Sequence, residues 1–305
     1  MRAYVFPGQG SQTVGMLADV AAEYPVVEET FAQASDVLGY DLWALVQNGP
    51  AEQLNETQRT QPALLTASVA LYRVLEQAGV EAPEWMAGHS LGEYSALVCA
   101  GALDFQDAVK LVAMRGEFMQ TAVPTGIGAM SAIIGLDDEL VEKACAEAAQ
   151  NEVASAVNYN SPGQVVIAGH KAAVERAGKA CLEAGAKRAL PLPVSVPSHC
   201  ALMQSAAEQL AVELGKLTFN TPQVPVVNNV DVEAPREADQ IRDALVRQLY
   251  SPVRWTETVR HLVAQGVTEI YEIGPGKVLT GLNKRIDKAI SGDAVNTVDA
   301  IAARK

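Results

Sequence analysis

The sequence predicts an α/β protein in two parts, a large core built on a parallel sheet and a smaller inserted subdomain of ferredoxin-like pattern. Three observations predict it. Strand-like and helix-like segments alternate along both ends of the chain, as a parallel sheet covered by helices requires. In the stretch 126–196 the order changes to β-α-β-β-α-β, which makes a ferredoxin-like unit by itself. Third, Gly88-His89-Ser90-Leu91-Gly92 fits G-x-S-x-G, a strand turning sharply into a helix with a serine at the apex. The large subdomain is therefore expected from residues 1–125 and 197–305, and the small one from 126–196.

Each element follows in order. Residues 3–6 read as a short buried strand running into the loop Pro7-Gly8-Gln9-Gly10-Ser11, and 28–46 have helical spacing. Pro62, near a first turn, is followed by an apolar, mostly buried helix through Tyr72. Trp85-Met86-Ala87 ends a buried strand, and the small residues 94–100 start the helix after the elbow. Asp104 begins another helix, with Asp107 as an approximate capping box, and Pro124-Thr125-Gly126 ends it. In the insert, strands are expected at 127–135, 153–158, 164–169 and 187–196, and helices at 137–149 and 172–184. A helix over 198–216, a strand over 224–228 and a helix ending near Tyr250 come next. A helix over 255–264, a strand over 269–273 and the loop Gly274-Pro275-Gly276 precede a last helix.

Composition narrows the function. The chain has 305 residues, 49% hydrophobic and 19% charged, an ordinary soluble globular balance. No apolar run is long enough to span a bilayer. The start Met1-Arg2-Ala3-Tyr4 lacks a signal-peptide apolar region, so a cytoplasmic protein is expected. Cys99, Cys145, Cys181 and Cys200 form no C-x-x-C pair and read as reduced thiols, with no disulfide framework and no metal site. A net charge of −13 disfavours nucleic acid as a partner. Gly8-Gln9-Gly10 lacks the third glycine of a dinucleotide loop, and Gly276-Lys277 is followed by Val278 instead of Ser or Thr, so nucleotide binding is rejected at both.

The elbow, in a core expected to be α/β-hydrolase-like, holds Ser90 at a helix N-terminus where backbone N–H groups can stabilise an oxyanion. A serine needs a positioned base. His89 abuts Ser90 on a tight turn and points away from it; His170 ends a strand in a solvated turn; His261 lies on the surface of an amphipathic helix. His199 stands where the last strand of the insert hands over to a helix, with Ser198 as N-cap and the imidazole in the first turn, at the junction of the subdomains. None of Asp104, Asp107, Asp137 and Asp138 reads as an orienting acid, so a backbone carbonyl or an amide takes that place. Arg115 lies on the apolar stripe of Ala108, Leu111, Val112, Phe118 and Met119. A buried guanidinium there meets either a structural acid or the carboxylate of a substrate.

Together with Phe6-Pro7-Gly8-Gln9-Gly10-Ser11-Gln12, Thr60-Gln61-Pro62-Ala63, Pro197-Ser198-His199 and Val227-Asn228-Asn229-Val230, these residues resemble the malonyl-CoA:acyl carrier protein transacylases from end to end. The likeness is to the stand-alone bacterial enzymes of fatty-acid synthesis more than to polyketide-synthase modules. It implies Ser90 as nucleophile, His199 as base, and the N–H groups of Gln9 and Leu91 as oxyanion hole. It implies that Arg115 binds the malonyl carboxylate in a pocket with Gln61 and Met119, and that Gln248 orients His199 through its main-chain oxygen. Many members carry phenylalanine where this chain has Ser198, so malonyl specificity rests mainly on Arg115.

The expected reaction is ping-pong acyl transfer from malonyl-CoA to the phosphopantetheine thiol of acyl carrier protein, through a malonyl-serine, with no cofactor. Each oxyanion donor contributes on the order of 3 kcal/mol. The carrier is acidic, so a local basic patch is needed; Lys187, Arg188, Lys284 and Arg285 are the candidates. Neither nucleic acid nor membrane is expected as a partner, and the default expectation is a monomer. The rivals are a serine thioesterase or hydrolase, which needs an orienting acid and has no use for Arg115, a transferase for a related acyl group, and a non-catalytic carrier-docking protein.

Overall fold

The structure is a computed structural model that describes residues 1–194 and 196–305. The first part of the chain forms β1 (Arg2–Phe6), α1 (Ala18–Glu23), α2 (Val26–Leu38), α3 (Leu42–Asn48), α4 (Ala51–Leu54) and α5 (Thr57–Gln77). Next come β2 (Trp85–Gly88), α6 (Gly92–Cys99) and α7 (Phe105–Ala122). The insert contributes β3 (Gly128–Ile134), α8 (Asp138–Ala149), β4 (Ala154–Ser161), β5 (Gln164–His170), α9 (Lys171–Glu183) and β6 (Arg188–Pro191). A 3-10 turn (Ala201–Met203) leads to α10 (Gln204–Gly215), β7 (Val226–Val227), α11 (Ala238–Gln248), α12 (Trp255–Ala264), β8 (Glu269–Glu272), α13 (Val278–Ile286) and α14 (Val298–Ala302).

The large sheet is parallel, in the order β7-β2-β1-β8. Alternation along β1 explains why helices cover both faces. Ala3 and Val5 pack with Ala87, Val227 and Ile270 under α12 and α13, while Tyr4 and Phe6 join Met86 beneath α2, α5, α6 and α7. Phe6 pairs with Gly88, so the loops leaving β1 and β2 emerge side by side. Such carboxyl ends are where open α/β sheets bind ligands.

The second sheet is antiparallel, in the order β4-β5-β3-β6, the ferredoxin-like arrangement expected of the insert. Ile133, Val165 and Ile167 face α8 and α9, whereas Met130, Val157, Val166 and Ala168 turn to Cys200, which follows the insert. Val253 pairs with β4 through Tyr159 N–H to Val253 O (3.0 Å) and Val253 N–H to Val157 O (2.8 Å). These bonds tie the insert to the large sheet's side.

Several boundaries differ from the sequence reading, for physical reasons. The helical stretch 28–46 is two helices, because Gly39 ends α2 at φ 81° and Asp41 caps α3 through Ala44 N–H (3.0 Å). Pro62 sits inside α5 and does not open it; α5 is buried along most of its length against α7 and α2, and that packing carries the proline. The strand expected over 187–196 closes at Pro191, with one further bond from Leu192 N–H to Met130 O (2.9 Å), and Ser195 lies outside the described residues. The helix expected from Ser198 starts at Gln204, because His199 adopts φ 64°, which a right-handed helix cannot include. A short helix, α14, follows α13, so the helix after Gly276 is not the last.

Close approach dictates the elbow glycines. A Cβ on Gly92 would collide with the Phe6 carbonyl, and one on Gly88 with the Gly92 backbone. Gly281, in α13, has open space around its Cα. Gly92→Ala is expected to cost on the order of 2–4 kcal/mol, read as a drop in the denaturant midpoint. Gly281→Ala is expected to stabilise by roughly 0.5–1 kcal/mol in the same measurement, by removing helical glycine entropy.

Candidate active site

Ser90 occupies the apex between β2 and α6 at φ 53°, a left-handed conformation that a serine adopts only under constraint. The constraint comes from the loop after β7. Asn229 accepts the Ser90 N–H on Oδ1 (2.8 Å) and donates Nδ2 to Gly88 O (2.7 Å), pinning both sides of the turn. Its own N–H donates to buried Glu93 on α6 (2.7 Å).

His199 reaches the serine from the other side of the chain, with Nε2 2.7 Å from Ser90 Oγ. Its N–H donates to Leu249 O (3.1 Å), and Nδ1 lies 2.8 Å from Gln248 O. A carbonyl only accepts, so Nδ1 carries the proton and Nε2 offers its lone pair to the serine hydroxyl. Burial and the nearby Arg115 charge push the imidazole down to about 3, which keeps it neutral at physiological pH.

Arg115 is fully buried on α7. Nη1 donates to Gln61 Oε1 (2.7 Å), and Nη2 to Gln248 Oε1 (3.0 Å) and, at 3.4 Å, to Ser90 Oγ. The guanidinium lies 5.3 Å from the Tyr94 ring centroid. Among the described residues no carboxylate pairs with it, so the structural-acid alternative is not met. Gln61 also donates to Thr57 Oγ1 (3.1 Å) and lies 3.5 Å from Met119 Sδ, so Gln61 touches the guanidinium and Met119 touches Gln61.

The loop after β1 closes the other wall. Gly8 passes so near the elbow that a Cβ there would stand 2.7 Å from His89 O. Gln9 Nε2 donates to Thr57 Oγ1 (2.8 Å). The N–H groups of Gln9 and Leu91 donate to no acceptor among the described residues, in contrast to that of Ser90.

The other histidines do different work. His89 bonds Asn160 Oδ1 of β4 (2.8 Å), joining the elbow to the insert, and packs against Trp255 with the rings tilted and their centroids 5.5 Å apart. His170, expected in solvent, accepts the Val153 N–H on Nδ1 (2.8 Å). His261, expected on the surface, is half-buried against Trp85 with its ring centroid at 5.8 Å. Lys187, Arg188, Lys284 and Arg285 are all exposed. Sequence reasoning missed Glu93, Asn229 and Thr57 as site residues. The first two stood inside quoted motifs, and the available signal was a carboxylate at the start of an otherwise small, apolar helix.

Comparison with known proteins agrees with this geometry. The acyl transferase domain family matches residues 3–297. The chain is 72% identical over 301 residues to the malonyl CoA-acyl carrier protein transacylase of Escherichia coli (strain K12), covering 99% of this chain and 97% of that protein. It is 45% identical over 300 residues to the Bacillus subtilis (strain 168) protein of the same name, covering 98% and 94%. The crystal structure of an acyl carrier protein S-malonyltransferase from Vibrio cholerae superposes with a TM-score of 0.98 at 68% identity, covering 100% and 99% of the two chains. A malonyl-transacylase solved in complex with a type II PKS acyl carrier protein superposes at 0.99 with 65% identity, covering 99% and 98%. On a family match spanning nearly the whole sequence and identities of this size, the chain belongs to the acyl transferase domain family.

Proposed function

We propose that this protein moves a malonyl group from coenzyme A to the phosphopantetheine thiol of acyl carrier protein, supplying fatty-acid elongation. The observation that carries the reading is one buried cation, Arg115, with no carboxylate partner among the described residues and within 3.4 Å of a serine that is itself 2.7 Å from an imidazole. A hydrolase needs the last two features and has no use for the first. It also calls for an acid on the histidine, where this chain presents the Gln248 carbonyl.

The chemistry follows from the geometry. His199 Nε2 takes the hydroxyl proton as Ser90 Oγ attacks the thioester carbonyl. The oxyanion is received by the N–H groups of Gln9 and Leu91, each contributing on the order of 3 kcal/mol. The imidazolium then returns its proton to the departing CoA sulfur. In the second half the carrier thiol gives its proton to His199 and attacks the malonyl-serine, and Ser90 leaves with that proton. Arg115 holds the malonyl carboxylate throughout, and Gln61 and Met119 wall the pocket. Thioester and oxyester are at the same oxidation level, so the proposed steps call for no redox cofactor.

Lys187 and Arg188, at the start of an edge strand, and Lys284 and Arg285, in the last turn of α13, are the cations offered to the acidic carrier. Among the described residues no helix is long and apolar enough to cross a membrane. The four cysteines are free, and that supports a reducing, cytoplasmic setting.

Ser90→Ala is expected to lower transfer by at least about 10⁴-fold and to abolish the malonyl adduct seen by intact-mass spectrometry. Arg115→Ala is expected to lower kcat/KM for malonyl-CoA by on the order of 10²–10³-fold while raising the acetyl-to-malonyl ratio; an unchanged ratio refutes the carboxylate role. The pH profile carries a sign. A base whose pKa is depressed stays unprotonated as pH falls, so Ser90 labelling by a fluorophosphonate is expected to persist at pH 5, well below the ordinary histidine value. Arg115→Gln removes a neighbouring positive charge and is expected to move that acid limb upward.

A further inference from the structure

Glu93 is a second buried charge that the transfer steps leave unused. It is 2% exposed, on the first turn of α6, and its Oε1 receives the Asn229 N–H at 2.7 Å. The Gln248 amide lies between it and Arg115. Gln248 Oε1 accepts from Arg115 Nη2 at 3.0 Å, and Gln248 Nε2 stands 3.5 Å from Glu93 Oε1. The same Nε2 donates to Ser90 O (2.9 Å) and faces Asn229 Oδ1 (3.3 Å), so the amide cannot turn over without losing several bonds at once.

An unpaired guanidinium in a core is costly, and an amide dipole alone does not neutralise it. We propose that Glu93 supplies the resident counter-charge of Arg115, relayed through Gln248, and that it takes up a proton when the malonyl carboxylate arrives. The inference rests on the reading of Arg115 as carboxylate site. The charge balance is simple. Without substrate, one cation faces one anion. With the malonyl carboxylate on Arg115, a second anion enters the same dry volume, and protonating Glu93 restores neutrality. The proton comes from solvent and sits on the Glu93 carboxyl; no other bond changes. Glu93 touches no substrate atom, so it is a positioning residue.

The surroundings favour that exchange. Burial pushes Glu93 up to about 7, against the pull of the Asn229 N–H, the Gln248 amide and Arg115 on α7. Asp231, in the loop after β7, adds repulsion, and it is itself ion-paired with Arg247 at 2.7 Å. Tyr94, the neighbour on α6, is pushed up to about 12 and stays neutral.

The experiment uses Ser90→Ala, which cannot be acylated, titrated calorimetrically at pH 8 with malonyl-CoA and with acetyl-CoA in buffers of different ionisation enthalpy. Acetyl-CoA cancels any contribution from the coenzyme's phosphates. Malonyl-CoA is expected to take up on the order of one proton more than acetyl-CoA, and its affinity is expected to weaken by up to about tenfold per pH unit above 7. Adding Glu93→Gln is expected to remove both effects. Equal proton uptake by the two thioesters overturns the proposal, as does a malonyl-specific uptake that survives Glu93→Gln. Should that variant not fold, the malonyl–acetyl difference and the pH slope decide alone. Arg115→Ala separates the two readings. Unchanged malonyl affinity there means Arg115 is not the carboxylate site; lost affinity with no proton uptake in the parent means only the Glu93 proposal fails.

Discussion

In direct contact the Arg115 guanidinium meets only neutral acceptors, because no carboxylate touches it among the described residues. Gln61 and Gln248 supply those acceptors, and each is fully buried and committed elsewhere. Gln61 is fastened through Thr57 to the Gln9 loop, and Gln248 through its amide to the Ser90 backbone. The cation therefore sits at the crossing of three otherwise separate segments: the loop after β1, the elbow after β2 and the end of α11. A residue whose donor toward the serine is held only by a long 3.4 Å bond is suited to a carboxylate that visits and departs.

Strain is concentrated at the same place. Both Ser90 and His199 have positive φ, each a departure costing roughly 1–3 kcal/mol where tertiary contacts enforce it. The contacts that do so are specific. Asn229 brackets the Ser90 turn, and the Leu249 and Gln248 carbonyls seize the two N–H groups of His199. Parallel pairing of β7 with β2 brings Asn229 to the elbow, so the sheet itself delivers the clamp.

The parts legible in the sequence were those encoded locally. Period-two alternation in β1, the glycines around Ser90, and the βαββαβ order between Gly128 and Pro191 need no knowledge of distant partners. Arg115 was legible because a charge on an apolar helical stripe is a contradiction that only burial with a purpose resolves. His199 was placed at the right junction with the wrong backbone: Ser198 looks like an N-cap, yet the left-handed φ of His199 is imposed by a carbonyl some fifty residues away. Pro62 was misread for a similar reason, since helix packing overrode a local stop signal. Asn229 and Glu93 act on each other across 136 residues of chain, and no local pattern reports such a bond.

Gln248 is the final residue of α11, so the oxygen that steadies His199 is one of that helix's orphan terminal acceptors. Aligned peptide dipoles place roughly half an elementary negative charge at such an end. A proton added to His199, as the proposed transfer requires, thus meets a negative pole made of backbone. That pole has no proton to gain. Acidification that would silence an aspartate in the same position leaves this one in force for as long as the helix is wound.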